Sequence, residues 1–371
     1  MRQFKVKDIT PGCFFSEPVY LDGSFILTAP EMPFSPELAR ALTEWNFKEV
    51  VSGGEIREDS PGESASALSG QNNARLEEAR QFYAAFLRYA ESLFLMTATN
   101  RELSFRRISE RVKTICDLSW EQRRHLLQVI IKEENTERKN YLASHAVKSA
   151  IVSIIIGTYI KLPPHRLIEL GVAALLHEAG MSALPSGIYM SGRELTPQER
   201  KSMLTHPVLG FNILKSFDFP LTVSVAALEH HERENGTGYP QRLTGDKISL
   251  YAKIIAVACS YEALTSSRPH RDAKDGYSGM LDLLKNEGKQ YDDTIIKALV
   301  FSLSIYPIGL YVLLSNGVKG VVTDVNPENP RYPMVQVFDE LAPDGKSNIL
   351  ETSRDGIHIV RPLRQDETGL A

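Results

Sequence analysis

The feature that most constrains this chain is a pair of adjacent histidines, His230 and His231, at the end of an apolar run from Leu221 to Leu228. A loop with two glycines follows, and the stretch reads His-His-Glu-Arg-Glu-Asn-Gly-Thr-Gly-Tyr-Pro up to Pro240. Adjacent imidazoles on a helix point about 100° apart. They are poorly placed to share one metal ion, so we expect each to serve a different ion of a cluster. The glycines let the backbone come close to a ligand.

This stretch resembles the signature of the HD-GYP family of metal-dependent phosphohydrolases, whose known members hydrolyse cyclic di-GMP. The family pattern runs His-His-Glu, a basic residue, any residue, Asp-Gly-x-Gly-Tyr-Pro, and Asn235 stands here where Asp is usual. The resemblance extends over residues 140–275, because further blocks follow in the family's order. These blocks are centred on His145, His177-Glu178, His206-Pro207 and the segment from Ile254 to Arg271.

The resemblance implies a metal centre built from histidine and carboxylate side chains. The chain has nine histidines, and a lone histidine near a helix end is usually structural. A set in register with a metal-binding pattern favours ligands instead. Imidazoles suit iron, manganese or zinc, and a bridging carboxylate ties two ions together. We therefore expect two divalent ions of iron, manganese or zinc. The expected metal ligands are His145, His177, Glu178, His206, His230, His231 and Cys259.

Several positions near these ligands depart from the family pattern. Glu178 replaces the bridging Asp and is one methylene longer, which would change the spacing of the ions. Cys259 replaces another Asp; a thiolate there would favour zinc or iron, and the alternative is a small buried apolar residue. Met181 stands at the position of the family's lysine and cannot donate to a phosphate. Tyr141 stands where members with three metals carry Glu, so we expect no third ion.

The resemblance also implies which residues bind substrate. Arg268 and Arg271 would hold the phosphates of the dinucleotide, and Tyr239 would line the pocket. For each arginine a surface salt bridge stays the alternative, because such pairs are common and weak. Glu232 and Asn235 are expected to brace the loop. By resemblance alone, the loop also indicates contacts with a diguanylate cyclase or another signalling protein.

Three functions remain open from the sequence. The retained histidines favour a fully active phosphodiesterase on cyclic di-GMP. Loss of the lysine together with a carboxylate ligand favours a divergent member of cyclic di-GMP signalling whose hydrolysis is weak or lost, leaving a receptor or scaffold. Losing one transition-state contact typically costs about 10²–10³ in rate, so we favour the divergent member. A hydrolase of another nucleotide or phosphoester is the third alternative.

The pattern of apolar residues predicts a mainly α fold, with a small N-terminal α+β module and a small C-terminal β module. The resemblance implies that the core between them is an HD-type helical bundle. Residues 1–51 form the first module, with a hairpin at Asp22-Gly23 and a helix that starts at Ser35-Pro36. A half-buried strand is expected from Phe4 to Ile9, where apolar residues alternate. Residues 52–73 are rich in Gly, Ser and acidic residues, which predicts a flexible linker.

The helical domain is expected over residues 74–305, around the motif core at 140–275. Ser119 with Gln122 three residues later fits the start of one of its helices. The period changes to two in residues 306–364, and Asn316-Gly317 predicts a hairpin with a type I′ turn. The helices ahead of the motif core leave a homodimer open.

Composition sets limits on partners and location. With 371 residues, two or three domains are expected. The net charge of -4 makes no case for nucleic-acid binding. Cys13, Cys116 and Cys259 are far apart and odd in number, which indicates a reducing compartment. Met1–Ile9 is not a signal peptide, and the run Ala150–Ile160 is too short to cross a bilayer. We therefore expect a cytoplasmic protein without a membrane span.

Overall fold

A computed structural model divides the chain into two compact units, Met1–Asn73 with Leu341–Lys346 and Ala74–Glu340 with Ser347–Ala371. The residues that it describes are 2–10, 12–15, 17, 19–21, 26–28, 34–44, 47–57, 62–99, 101–132, 141–191, 193–266, 273–286, 289–326, 329–341, 347–354, 356–363 and 367–368.

The first unit combines one short helix with short antiparallel strands. The elements are β1 (Arg2–Lys5), β2 (Phe14–Phe15), β3 (Val19–Tyr20), β4 (Ile26–Thr28), α1 (Pro36–Glu44), β5 (Glu49–Ser52) and β6 (Ile56–Arg57). A four-stranded sheet has the order β1-β5-β3-β4, and β2 pairs with β6. Pairing of β3 with β4 confirms the hairpin, and the amide of Leu38 donates to Ser35 Oγ at 3.1 Å, as expected at a helix start.

Two predictions for this part of the chain need correction. The strand expected from Phe4 to Ile9 ends at Lys5, because a 3₁₀ turn buries both Val6 and Ile9, three residues apart. The segment 52–73, predicted as a flexible linker, contains β6 and the first part of α2 (Gly62–Ala98). Its low apolar content is compatible with a helix, since Ala, Leu, Glu and Gln are all good helix formers.

The second unit is a bundle of helices that share one apolar core. Its helices after α2 are α3 (Phe105–Glu121), α4 (Arg123–Lys132), α5 (Tyr141–Tyr159), α6 (Pro164–Leu176), α7 (Ser186–Tyr189), α8 (Pro197–Met203), α9 (His206–Ser216), α10 (Leu221–Glu229), α11 (Leu250–Thr265), α12 (Gly276–Leu284) and α13 (Asp293–Leu303). The helix start predicted at Ser119 is wrong. Ser119 lies inside α3, where it is buried with Ile108, Val112 and Ile115 on one helical face, and the chain turns only at Gln122.

Helix α5 lies at the centre of the bundle, and every residue from Leu142 to Gly157 is buried. By length and composition α5 could cross a membrane, but 83% of the apolar window is buried inside the protein, as in the core helix of a soluble bundle. Helix α6 packs closely against α3 and α5 at Gly171. A Cβ atom on this residue would lie 2.5 Å from Val112 of α3 and 2.9 Å from Ile154 of α5. This tight packing sets the distance between the motif histidines of α5 and α6.

A five-stranded sheet follows the helices, with its own small apolar core. Its strands are β7 (Tyr311–Leu314), β8 (Lys319–Asp324), β9 (Met334–Leu341), β10 (Ser347–Glu351) and β11 (Ile359–Pro362), in the order β10-β9-β8-β7-β11. The hairpin of β7 and β8 is confirmed, but its turn is not type I′. Gly317 has a φ of 83° while Asn316 does not reach positive φ, which is the pattern of a type I turn followed by a left-handed glycine.

Candidate metal centre

The motif histidines come from the ends of different helices that converge in the core. His145 lies one turn into α5, His177 follows the last residue of α6, His206 begins α9 and His230 follows the last residue of α10. All four side chains are buried, with at most 4% of their surface exposed. Because these imidazoles are buried away from water, each ring nitrogen needs a hydrogen-bond partner or a metal ion.

Backbone carbonyl groups hold three of these imidazoles in one orientation. The Nδ1 atoms of His177, His206 and His230 lie 2.6, 2.7 and 2.8 Å from the carbonyl oxygen three residues earlier in the chain. A carbonyl oxygen only accepts, so each Nδ1 carries the proton and donates it. The lone pair of a neutral imidazole is then on Nε2, which points into the cluster. Histidine ligands of metal ions are commonly oriented in this way.

The Nε2 atoms face each other in pairs. His177 Nε2 lies 3.3 Å from His145 Nε2, and His206 Nε2 lies 3.2 Å from His230 Nε2. Burial lowers the pKa of His177 to about 4, and burial together with the charge of His231 lowers the pKa of His230 well below its usual value. The rings of His177 and His230 are therefore neutral near pH 7, and their Nε2 lone pairs are available to a cation.

Glu178 connects the two halves of this cluster. Its Oε1 lies 3.8 Å from Nε2 of both His145 and His177, and its Oε2 lies 3.3 Å from Nε2 of His206. Burial raises the pKa of this carboxyl group, but the surrounding histidines outweigh burial and bring it to about 2. Glu178 is therefore ionised, and its buried Oε2 lacks a hydrogen-bond partner among the residues described. An orphaned carboxylate oxygen beside imidazole lone pairs fits a divalent cation.

Two groups of ligand atoms result, each with its members within 4.8 Å of one another, and Glu178 belongs to both. One group is His145, His177 and Glu178; the other is Glu178, His206, His230 and His231. His230 and His231 both fall in the second group, and their expected division between different ions stays a prediction. Helix α10 ends at Glu229, so His231 is free of helical geometry, and the two ring centroids lie 4.1 Å apart.

Glu262 is a site residue that the sequence analysis missed. Its carboxylate makes a short contact with His145 Nδ1 deep in the core, which turns His145 Nε2 toward His177 just as the backbone carbonyls turn the other rings. The signal was available in principle, because an acidic residue in the apolar helix α11 needs a partner. Its partner, however, lies 117 positions earlier in the chain, and periodicity carries no information about that pairing.

Two other predicted positions lie close to the centre without joining either group. Cys259 is buried on α11, and its Sγ lies 3.5 Å from the carbonyl oxygen of Ala256; its role as a ligand stays a prediction. Tyr141 stacks on His145, with ring centroids 6.0 Å apart and an angle of 15° between the planes. The Tyr141 side chain therefore covers the face of this imidazole.

The loop after the paired histidines is braced by Glu232, as predicted. Its buried carboxylate accepts from the amides of Gln241 at 2.6 Å and Leu243 at 2.9 Å. Gly238 packs against the loop's own backbone, since a Cβ atom there would lie 2.5 Å from the carbonyl oxygen of His231. The loop thereby places Tyr239 flat on His231, with ring centroids 4.6 Å apart.

A cavity of about 490 Å³ opens beside this centre. Glu178, His206, His231 and Tyr239 form one part of its wall, and Met181 lies among them. Burial and the charge of Glu178 raise the pKa of Tyr239, so the phenol keeps its proton. The wall also includes two arginines that the sequence analysis did not select, Arg193 and Arg200. The predicted phosphate ligands Arg268 and Arg271 lie outside the described residues.

Comparison with known proteins agrees with this geometry. Residues 128–295 match the HD domain family. A cyclic di-GMP phosphodiesterase of Borreliella burgdorferi is 27% identical over 53% of this chain and 52% of its own length. Another of Pseudomonas aeruginosa is 33% identical over 53% of this chain and 48% of its own length. These matches support the assignment of the chain to the HD-GYP family. The chain spans about half the length of these curated relatives.

The fold has a solved counterpart within the HD-GYP family. Bd1817 from Bdellovibrio bacteriovorus, described as an HDG"Y"P protein, aligns with a TM-score of 0.51 and 16% identity, over 80% of this chain and 97% of that one. This likeness concerns the fold alone. The mainly α bundle with small sheets towards both termini is thereby supported, while Met181 and Cys259 distinguish this chain from the HD-GYP pattern.

Proposed function

We propose that this chain is a metal-dependent phosphodiesterase of cyclic di-GMP whose turnover is weak. One observation carries the proposal: two groups of buried ligand atoms share the carboxylate of Glu178 and border an open cavity. The curated relatives are named for hydrolysis of cyclic di-GMP, which supports this substrate. The same cavity could hold a dinucleotide, because ligand cavities typically measure about 300–1,000 Å³.

The residues present would hold two divalent ions, one in each ligand group. Such ions supply positive charge to the non-bridging phosphate oxygens and activate a water for attack on phosphorus. Glu178 holds both groups in register through its two oxygens. Tyr239, protonated and stacked on His231, limits water at the mouth of the centre and offers a hydroxyl donor to the substrate.

Weak turnover follows from what Met181 lacks. Its side chain lies on the cavity wall and is 9% exposed, so it is available to substrate but offers no positive charge. Charge that develops on a phosphoryl group in the transition state is stabilised by a nearby cation, and loss of one such contact typically lowers the rate by about 10²–10³. A protein with this defect can still bind the dinucleotide.

The runner-up is a receptor that binds cyclic di-GMP without turnover. Exclusion of Cys259 from both ligand groups favours it, because the first group then has three protein ligands where the HD-GYP pattern provides an additional carboxylate. In that case the centre would keep a structural ion or none, and the cavity would serve binding alone.

A turnover assay separates the two. The protein is purified without oxygen, supplied separately with iron, manganese and zinc, and given cyclic di-GMP, and products are separated by chromatography. We expect slow, metal-dependent formation of the linear dinucleotide or GMP that disappears in His206→Ala. His165→Ala is the matched control, since His165 is exposed at the start of α6. Product formation without added metal, or retained in His206→Ala, would show that the proposed centre is not the catalyst.

A further inference from the structure

The cavity beside the metal centre has two basic side chains on its wall, and they differ in how far they are already engaged. The guanidinium of Arg193 donates two hydrogen bonds to the carboxylate of Glu199, at 2.7 and 2.9 Å, and one to the carbonyl oxygen of Glu194 at 2.9 Å. Arg200 has no ion pair or hydrogen bond from its guanidinium within the described part of the chain. Its donors are available to a ligand.

The carboxylate of Glu199 is engaged by Arg193 and Thr196 and makes no ion pair with Arg200. Besides Arg193, its Oε2 accepts from the amide of Thr196 at 2.8 Å and from Thr196 Oγ1 at 2.9 Å. The bond from the Thr196 amide, together with the reciprocal bond from the Glu199 amide to Thr196 Oγ1 at 3.3 Å, forms the capping box at the start of α8. The box stabilises the short helix that carries Arg200, and α8 leads within three residues of its end to His206. Arg200 is therefore held on a defined part of the wall, close in sequence and space to a metal-ligand candidate.

The substrate chemistry requires a cation in this place. A cyclic dinucleotide carries two phosphodiester groups, each with one negative charge. The metal centre can neutralise the group that is cleaved, but the other group also enters a cavity lined by the carboxylate of Glu178. Met181 offers no charge, and Arg193 is engaged with Glu199. Among the cavity-lining residues that the structure describes, Arg200 is then the basic side chain left to meet that phosphate.

We propose that Arg200 is a substrate-binding residue that pairs with the phosphate of cyclic di-GMP remote from the metal centre. This inference rests on the proposed function for the identity of the substrate. The guanidinium fork binds two oxygens of one phosphate at once, which a lysine cannot do. The second phosphate carries the same charge in the ground state and in the transition state. Arg200 therefore contributes to binding, and its loss raises KM while kcat changes little.

The test compares three variants on one helix. Arg200→Met removes the charge, Arg200→Lys keeps the charge and loses the fork, and Lys201→Met removes a charge from the next, exposed residue, which is not on the cavity wall. We expect Arg200→Met to raise the KM and Kd for cyclic di-GMP by about ten- to a hundredfold, as for loss of a charged hydrogen bond. The KM and Kd of Arg200→Lys should lie between those of Arg200→Met and the unchanged protein. Those of Lys201→Met should match the unchanged protein within about twofold.

Inorganic pyrophosphate, titrated by calorimetry into the same variants, separates this inference from the proposed function. If the unchanged protein neither hydrolyses nor binds cyclic di-GMP but binds pyrophosphate through Arg200, the substrate is wrong and the phosphate site stands. If the protein hydrolyses cyclic di-GMP and Arg200→Met has the KM of Lys201→Met, the function stands and the role of Arg200 is overturned. Absence of binding of either probe to the unchanged protein overturns both.

Discussion

Replacement of Gly180 by alanine tests whether the contact between the segment after His177 and the start of α9 positions the metal ligands. A Cβ atom at residue 180 would overlap the carbonyl oxygen of His206 and lie 2.5 Å from the amide nitrogen of Gly210. An ordinary contact is about 3.5 Å, so α9 would have to move by roughly 1–1.5 Å. Both clashing groups are backbone atoms, and no change of side-chain rotamer relieves them.

Gly180→Ala should lower both the stability of the protein and its affinity for metal. Over-packing a tight site usually destabilises by about 1–3 kcal/mol, and we expect the upper end, about 3 kcal/mol, because the backbone must shift. The same shift changes the 3.3 Å separation between Glu178 Oε2 and His206 Nε2. Metal sites tolerate deviations of only about 0.2 Å in ligand distances, so the second ligand group should lose metal affinity even where the protein remains folded.

Urea unfolding followed by circular dichroism at 222 nm measures the first effect, and metal titration of the folded protein measures the second. Gly187→Ala is the matched control, because a Cβ atom there meets nothing within 4 Å. It should be neutral or slightly stabilising, as alanine favours the helix more than glycine. If Gly180→Ala unfolds at the same urea concentration as Gly187→Ala and binds as much metal, the proposed contact does not position His206.

Other predictions concern the centre itself. Met181→Lys should raise the turnover of cyclic di-GMP by about tenfold or more. Met190→Lys is the control and should leave turnover unchanged, because Met190 is not on the cavity wall. Equal turnover rates of the two variants in an enzyme assay would contradict the role given to residue 181. Glu262→Gln should weaken metal binding by about 10–100-fold, because it removes the charged partner that orients His145; unchanged affinity in a competition titration would refute this. Because burial lowers the pKa of His177 from 6.5 to about 4, the unfolded chain takes up that proton first. The unfolding free energy of the metal-free protein should therefore fall as the pH drops from 6.5 to 4, and urea midpoints that stay level across that range would argue against buried neutral histidines.

Local patterns predicted most of the secondary structure, because helix periodicity and turn residues depend on near neighbours in the chain. The wrong predictions concern segments whose secondary structure depends on packing or on residues further along the chain. Ser119 looks like a helix start by its neighbours, but Ile108, Val112 and Ile115 continue the same buried face and keep α3 intact. The segment after Gly62 looks like a linker by composition, although its residues are also compatible with the helix that forms.

For the candidate centre as well, the sequence predicted some features and the tertiary structure decided others. The spacing of histidines and the glycine-rich loop, read against a family pattern, were sufficient to select His145, His177, Glu178, His206, His230 and His231, because the chemistry requires these residue types. The resemblance placed Glu178 at the bridging position, but only the packing of α5, α6 and α9 shows that its carboxylate belongs to both ligand groups. The order of the residues along the chain could not show that Glu262 orients His145.

The sequence by itself determined which side chains are chemically able to bind metal and where the lysine of the family is absent. Only the tertiary structure decided which way each imidazole points, because that depends on carbonyl groups at helix ends and on one carboxylate from another helix. It also decided which arginine remains available on the cavity wall. Arg193 and Arg200 have the same chemistry in the sequence, and they differ because Glu199, fixed by the helix cap, engages one of them.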